Sequence, residues 1–500
     1  MQKLPVPNIT LDTQDQGSAF QTKMNSLASA CKTAVEAYNN QVDAAETAQQ
    51  YSDAAQQALL DADVTPVLRR MNMFTDEMPS ISLDFEHADY YGYVQGSGIV
   101  TKQLSDLMQT TRDTPVIGRG LAGFESIPAN TPIIELDPVK HAVIGLKSAA
   151  VRVNKLLKSN DFAASQWIKS GATPTEASTP PPLVGAKVWQ LTENATAGGH
   201  YIKQDVLLEA NKTYSIVVVA KPAERNEIAI QTASTGKWLT PKISTIDLLD
   251  ATVIDGDGKT ARLYDDFVES YITANYGAAA GYGGANIYVS KDGQTSYQGD
   301  GVSSVEIFTV DLVEGSIAGP PIITDTVALA TAADSHSCAV THNGSFTIYG
   351  EFDLSDYPVD TFVALCRLSD SANTATRGAA IRIGRTLAGN LTAVAAARGA
   401  DGILTSIPAS NQNSIVVGSN KMALSFDSRT QQLSISLNGV TTTGNAESAG
   451  FLQTYATHMF PISKVNITSN NTNPETVRCK RCIFWPYLLS AESRNKWTSI

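Results

Sequence analysis

Between about residues 151 and 316 the chain keeps returning to short β-branched runs bounded by Gly, Asn and Asp. They include "HYIKQDVLL" (200–208), "KTYSIVVVAKP" (212–222), "NEIAIQT" (226–232), "ANIYVSKDG" (285–293) and "SVEIFTVDLVEG" (304–315). No helical period of useful length interrupts them, so the segment must pair with itself as antiparallel strands. Strands at this spacing predict a sandwich. A break at "GSIAGPPIITD" (315–325) is followed by a second β set, from "SFTIYGEFDL" (345–354) through "TFVALCRLSD" (361–370) to "CKRCIFWPYLLS" (479–490). Within it, "SFDSRTQQLSISLNG" reads as a hairpin. The expectation is therefore two tandem antiparallel β-sandwiches, over 151–316 and 317–500.

The amino-terminal part has a different texture. Residues 20–61 lack Gly and Pro, and apolar residues fall at Phe20, Met24, Leu27, Cys31, Val35, Tyr38 and Val42. The steps alternate between three and four and sum to an 11-residue repeat, which predicts a nearly straight helix or a slightly right-handed bundle. Such a helix would be roughly 60 Å long. One thin apolar stripe cannot hold it in water, so it needs copies of itself or a second helix on that stripe. Self-association is the favoured expectation, with a helical hairpin as the alternative. Residues 1–75 are thus read as an attachment segment and helical stalk. Residues 76–150 are read as a strand-containing connector, with "ISLDF", "YYGYV" and "TPIIELD" strand-like and Pro128, Pro132 and Pro138 closing it.

Composition narrows the function. The 500 residues carry a formal net charge of -12, and only 17% are charged. Basic residues cluster only briefly, at 67–70 and 478–481, so a nucleic-acid partner is not expected. No apolar run reaches 18 residues, so no membrane insertion is expected. The amino-terminal segment has no apolar core of a secretory signal. Five cysteines, Cys31, Cys338, Cys366, Cys479 and Cys482, form no disulfide framework and fit synthesis in a reducing cytoplasm.

Catalytic motifs are sparse. There is no G-x-S-x-G and no H-E-x-x-H, and the six histidines sit in unrelated contexts. Asp265, Asp266 and Glu269 in "YDDFVES" read as an exposed loop leading into a strand. Cys479 and Cys482 form a C-x-x-C without a second pair; on a regular strand, positions i and i+3 point to opposite faces, which argues against zinc. "DGDGK" (255–259) begins like a calcium loop, but Lys259 stands where an oxygen ligand is required and Asp266 where Glu is usual, so a tight turn is expected. No cofactor is expected; a calcium ion in either sandwich stays open, with its ligands unassigned. Trp167, Trp189 and Trp485 read as core. The expectation is a protein without enzymatic activity, with a glycan depolymerase as the alternative.

One non-catalytic signal stands out. "NYGAAAGYGGANIY" (275–288) places Tyr276 and Tyr282 in a Gly/Ala-rich stretch. Flat rings suit the apolar faces of sugars, and Gly lets the backbone come close. These two tyrosines are the candidate carbohydrate-binding residues; the alternative is a plain connection between strands.

"GLKSAAVRVNKLLKSNDFAASQWIKSGATPT" (145–175) and "SYQGDGVSSVEIFTVDLVEG" (296–315) resemble segments of tail fibres and receptor-binding proteins of tailed bacteriophages. "MQTTRDTPVIGRGLAGFESIPANTPIIELDPVKHAVIGL" (108–146) looks like the strand-rich piece that precedes them. "KMALSFDSRTQQLSISLNGV" and "CKRCIFWPYLLSAESRNKWTSI" are similar to the last strands of laminin-G or concanavalin-like domains, which end in a short helix. Here Ser490 can cap that helix, with Glu492 in its first turn. The resemblance implies a carbohydrate-module-like jelly roll over 151–316 and a lectin-like domain over 317–500. It also implies a homotrimer bound through its amino-terminal segment to other tail or baseplate proteins. Its partner would be a bacterial cell-surface polysaccharide, and its location the virion tail, assembled in the host cytoplasm. A purely structural fibre or collar component is the alternative.

Overall fold

The computed structural model describes residues 25–26, 28–33 and 79–499, the last range without 95–97, 121, 138, 141, 149–150, 316–318, 343, 355–360, 370–377, 386–389, 399–403, 428, 431, 446–463 and 468–476. The chain divides into two units, 1–78 and 79–500. In the first, the described residues are helical, and the Thr33 hydroxyl donates back to the Ser29 carbonyl at 2.9 Å. The rest of the expected stalk at 20–61 lies outside the described residues.

The second unit is mainly β, and its ladders are antiparallel. Thr213–Pro222 lies between Ser304–Glu314 and Val268–Asn275 in an eight-stranded sheet. Facing it is a six-stranded sheet in which Gly281–Ser290 lies between Tyr201–Leu208 and Glu227–Ala233. Ile216, Val218 and Leu312 from one sheet share a core with Ile202, Ile230 and Ile287 from the other, all buried. Burial of each such side chain stabilises by about 1.5–3 kcal/mol relative to leaving it exposed.

The two sheets of this pair differ in their outer faces. "YSIVVVA" is apolar at consecutive positions because its strand is covered on both sides. Val219 packs behind the sheet with Phe308, Phe267 and Phe124, and Val217 packs with Val313 and Ile322. Phe124 comes from the hairpin Val116–Arg119/Phe124–Ile127, so part of 76–150 forms the outer cover. The six-stranded sheet instead alternates buried and partly exposed residues along its central strands.

The second sheet pair also draws on 76–150. Ile81–Asp84 pairs with Arg478–Trp485, and Met108–Thr111 pairs with Ser335–Ala339. These strands enter opposite sheets of ten and seven strands among the described residues. Leu83, Met108, Ile348, Ile381, Leu424 and Phe484 share the intervening core. Helix Ala491–Thr498 closes this part, and the Ser490 hydroxyl accepts from the Ser493 N–H at 3.0 Å, as the sequence suggested.

A buried ionic cluster ties the parts together. Glu135 accepts from Arg478 Nε at 2.5 Å, Lys147 Nζ at 3.2 Å and Arg119 at 3.3 Å. Arg119 also reaches Glu269, on a strand of the first sheet pair, at 2.6 Å. Burial alone would raise the Glu135 carboxyl, but Lys147, Arg478 and Arg119 hold it well below the usual carboxylate range.

Candidate functional site

The open face of the six-stranded sheet is built by alternation. In Tyr201–Leu208, Ile202, Gln204 and Leu208 point into the core, which turns Tyr201, Lys203, Asp205 and Leu207 outward. In Gly281–Ser290, Ala285, Ile287 and Val289 are buried, which turns Tyr282, Gly284, Asn286 and Tyr288 outward. In Glu227–Ala233, Ile228 and Ile230 enter the core, Gln231 is partly exposed on the other side, and Ala229 and Ala233 on that side are buried beneath their taller neighbours.

Register brings these residues into rows across the strands. Lys203, Asn286 and Gln231 form one row, and Tyr201, Tyr288 and Ala229 the next. Asp205, Gly284 and Ala233 form a third. Small residues at 229, 233 and 284 keep the floor low between taller neighbours. A Cβ at Gly284 would lie 1.8 Å from the Gln204 carbonyl oxygen, so this strand crossing admits only glycine.

The side chains form a partly satisfied polar trough. The rings of Tyr201 and Tyr288 lie 5.0 Å apart at 51°. The Tyr288 hydroxyl donates to Gln231 Oε1 at 2.9 Å, and Asn286 Nδ2 donates to the same oxygen at 3.2 Å. Asn286 Oδ1 has no hydrogen-bond partner among the described residues. Lys203 Nζ pairs with Asp205 Oδ2 at 2.7 Å, and the Ser234 hydroxyl donates to Asp205 Oδ1 at 2.9 Å. Ser234 holds φ 56°, a costly conformation for a non-glycine residue, at the rim of the trough. Burial, with Tyr201 alongside, pushes the Tyr288 hydroxyl pKa up, so it stays a neutral donor.

The structure separates the two tyrosines singled out in the sequence. Tyr276 is 0% exposed, edge-on to Trp238 at 5.1 Å and to Tyr214 at 6.3 Å. It lies beneath the trough: a Cβ at Gly283 would come within 2.8 Å of its ring. A ring so enclosed has no face for a sugar, which corrects the expectation for Tyr276. Tyr282 is 65% exposed and stands on the open face opposite Leu207. Six residues separate it from Tyr288 on one strand, about 20 Å. The stretch read as a loop is largely strand, Gly281–Ser290. Sequence reasoning passed over Tyr201, Lys203, Asp205, Gln231, Asn286 and Tyr288. Their signal was a polar or aromatic residue at every second position of "YIKQD" and "ANIY", and Gln231 closing "IAIQ".

Other clusters are structurally engaged. Glu193 receives two N–H groups of Arg225 at 2.7 and 3.1 Å, the Tyr297 hydroxyl at 2.6 Å and the Asp300 N–H at 3.0 Å. Burial opposes its ionisation, but Arg225, Tyr297 and Asp300 outweigh it and hold the carboxyl low. Burial and Glu193 push the Tyr297 hydroxyl up. This cluster therefore pins "YQGDG" to its sheet and leaves neither group poised to exchange a proton. In "DGDGK", Lys242 pairs with Asp257 and the Ser244 hydroxyl donates to the Asp255 carbonyl, the geometry of a braced turn. Glu269 in "YDDFVES" is buried against Arg119.

Asp84, Glu86 and His87 place potential metal-ligating atoms within 4.8 Å of one another. Asp84 already receives two N–H groups of Arg481, at 2.6 and 3.1 Å. The C-x-x-C differs from the regular-strand expectation. The register shifts between Glu351 and Phe352, which face Arg481 and Cys479, so Lys480 is the extra residue of a bulge. The bulge turns both Cys479 and Cys482 into the core, where Cys482 Sγ lies 3.9 Å from Cys366 Sγ.

No family model matches the chain, and no curated protein matches it. Among solved structures it is similar to the CBM40 module of Ruminococcus gnavus IT-sialidase bound to α2,3-sialyllactose, at 16% identity and a TM-score of 0.25, over 31% of this chain and 83% of that one. It is also similar to Trypanosoma rangeli sialidase in complex with sialic acid, at 10% identity and a TM-score of 0.24, over 65% of this chain and 62% of that one.

Proposed function

We propose that this chain is a glycan-binding receptor protein of a tailed-bacteriophage tail, acting without chemistry on its ligand. The observation that carries the binding role is the trough, with the paired rings of Tyr201 and Tyr288 beside the amides of Gln231 and Asn286. Aromatic faces stack on the C–H faces of pyranoses, and planar amides meet adjacent hydroxyls. Tyr282 extends the platform along the same strand.

The virion role is supported by the resemblance of 145–175 and 296–315 to tail-fibre segments. On this reading residues 1–75 attach to tail or baseplate proteins and assemble as a homotrimer, while the stretch 76–150, expected as a connector, is built into the β domains through Ile81–Asp84 and Met108–Thr111. Residues 151–316 form a carbohydrate-module-like jelly roll, and 317–500 a laminin-G-like sandwich. The energetics suit multivalency. One shallow site supplies about -4 kcal/mol, a millimolar affinity. Several copies on one fibre raise avidity by roughly 10²–10⁴.

The test is binding of the full-length protein to a glycan array and to host-cell polysaccharide, alongside Tyr288→Ala. Retention on a defined glycan, weakened about tenfold or more by the substitution, is the expected result. Failure to retain any glycan overturns the reading. Reducing ends should stay at background when polysaccharide is incubated with the protein; their release would make the chain a depolymerase. Light scattering should give three times the chain mass, and a monomer at micromolar concentration removes the avidity argument.

A further inference from the structure

Charge on the open face selects among sugars. At the outward positions of the six-stranded sheet described above, Lys203 is the cation, and its ammonium is already held by Asp205 at 2.7 Å. Register puts further carboxylates on the same face. Glu227 stands opposite Asp247, and Asp255 opposite Thr245, which in turn faces outward-pointing Ala229. Glu227 accepts from the Gly293 N–H at 2.8 Å, and Asp247 accepts from the Leu249 and Asp250 N–H groups at 2.7 and 3.1 Å. The face is therefore net acidic.

We infer that the trough takes an electrically neutral pyranose oligosaccharide and discriminates against one bearing a carboxylate or sulfate; this rests on the glycan-binding reading above. An anionic substituent could reach Lys203 only by displacing Asp205, which would leave that carboxylate beside the incoming negative charge. Away from Lys203 it would meet Glu227, Asp247 and Asp255 at other outward positions of the same sheet. Like charges brought together during desolvation oppose binding at either place.

The experiment is calorimetry or biolayer interferometry of the full-length protein at about 20 and 500 mM salt. The probes are neutral galacto-, gluco- and N-acetylhexosamine oligosaccharides and the same backbones carrying sialic acid or sulfate. Neutral sugars should bind at least about tenfold more tightly at low salt, with the gap narrowing at high salt as screening grows. Asp205→Asn frees the ammonium of Lys203 and should raise affinity for the acidic sugars severalfold, with thermal melting confirming a folded variant. Equal or tighter binding of the acidic sugars by the native protein overturns the charge selection, while glycan binding stands if Tyr288→Ala abolishes it. If neither class binds, both the selection and the glycan-binding reading fall.

Discussion

The two sheets of the first pair start from the same material and end differently. Thr213–Pro222 and Ser304–Glu314 are covered behind by Phe124, Leu263, Phe267 and Ile322, and they are buried at most positions on both faces. Tyr201–Leu208 and Gly281–Ser290 carry no such cover over Tyr201, Lys203, Asn286 and Tyr288, and their sequences alternate. What distinguishes a structural face from a candidate binding face here is where the 116–127 hairpin lies. One sheet is sealed by a neighbouring segment, so its partner is the one left to meet solvent.

Breaking the seal should cost far more than editing the open face. Glu135→Gln removes the anion from three basic side chains and should destabilise the second unit by about 3–5 kcal/mol, read by urea unfolding. The native carboxyl sits below its unfolded value. Its stabilisation is therefore complete above an unfolded pKa of about 4.3 and is lost as acid protonates the folded group, and the variant should lack that component of acid unfolding. Phe308→Ala empties the space between Phe124, stacked 6.0 Å away, and Phe267, and should cost about 3–5 kcal/mol.

A third measurement asks how firmly 76–150 is joined to the second sheet pair. His336 is buried beside Thr110, with Nδ1 2.9 Å from its hydroxyl, on the strand that pairs with Met108–Thr111. Burial pushes the imidazole down to about 4 from an ordinary 6.5. The folded state stays neutral while the unfolded chain takes up a proton. Stability should thus be full above pH about 6.5 and fall by about 3 kcal/mol as pH drops to 4. His336→Gln should flatten that slope in pH-dependent melting. The smallest effect belongs to the open face: Tyr282→Ala should shift stability by no more than about 0.5 kcal/mol while weakening glycan retention.

Much of the β content could be read directly. The runs at 200–208, 212–222, 226–232 and 304–315 appear as Tyr201–Leu208, Thr213–Pro222, Glu227–Ala233 and Ser304–Glu314. Trp167, Trp189 and Trp485 are core, as their apolar surroundings indicated. Local pattern sufficed because period-2 alternation and β-branching act over a few residues. The destinations of Ile81–Asp84 and Met108–Thr111 were not legible, since nothing local specifies a partner hundreds of residues away. The inward turn of both Cys479 and Cys482 depended on a bulge that ordinary strand geometry does not include. Tyr276 and Tyr282 looked alike because Gly and Ala around them suggested a loop; only the fold sent one ring under the sheet and the other over it. The trough itself was present in the alternation, but which sheet kept a wet side was decided by a hairpin from another part of the chain.

The closing of Ile81–Asp84 on Arg478–Trp485 has a further consequence for synthesis. Ser80 donates to the carbonyl of Phe484, 404 positions later. A growing chain can complete the 151–316 sheets long before that partner leaves the ribosome. Ile81–Asp84 can pair at once with Asp89–Val94, but its other edge waits for Arg478–Trp485. A chain that stops short of residue 478 would therefore carry the first sheet pair complete and the second with one edge of Ile81–Asp84 open.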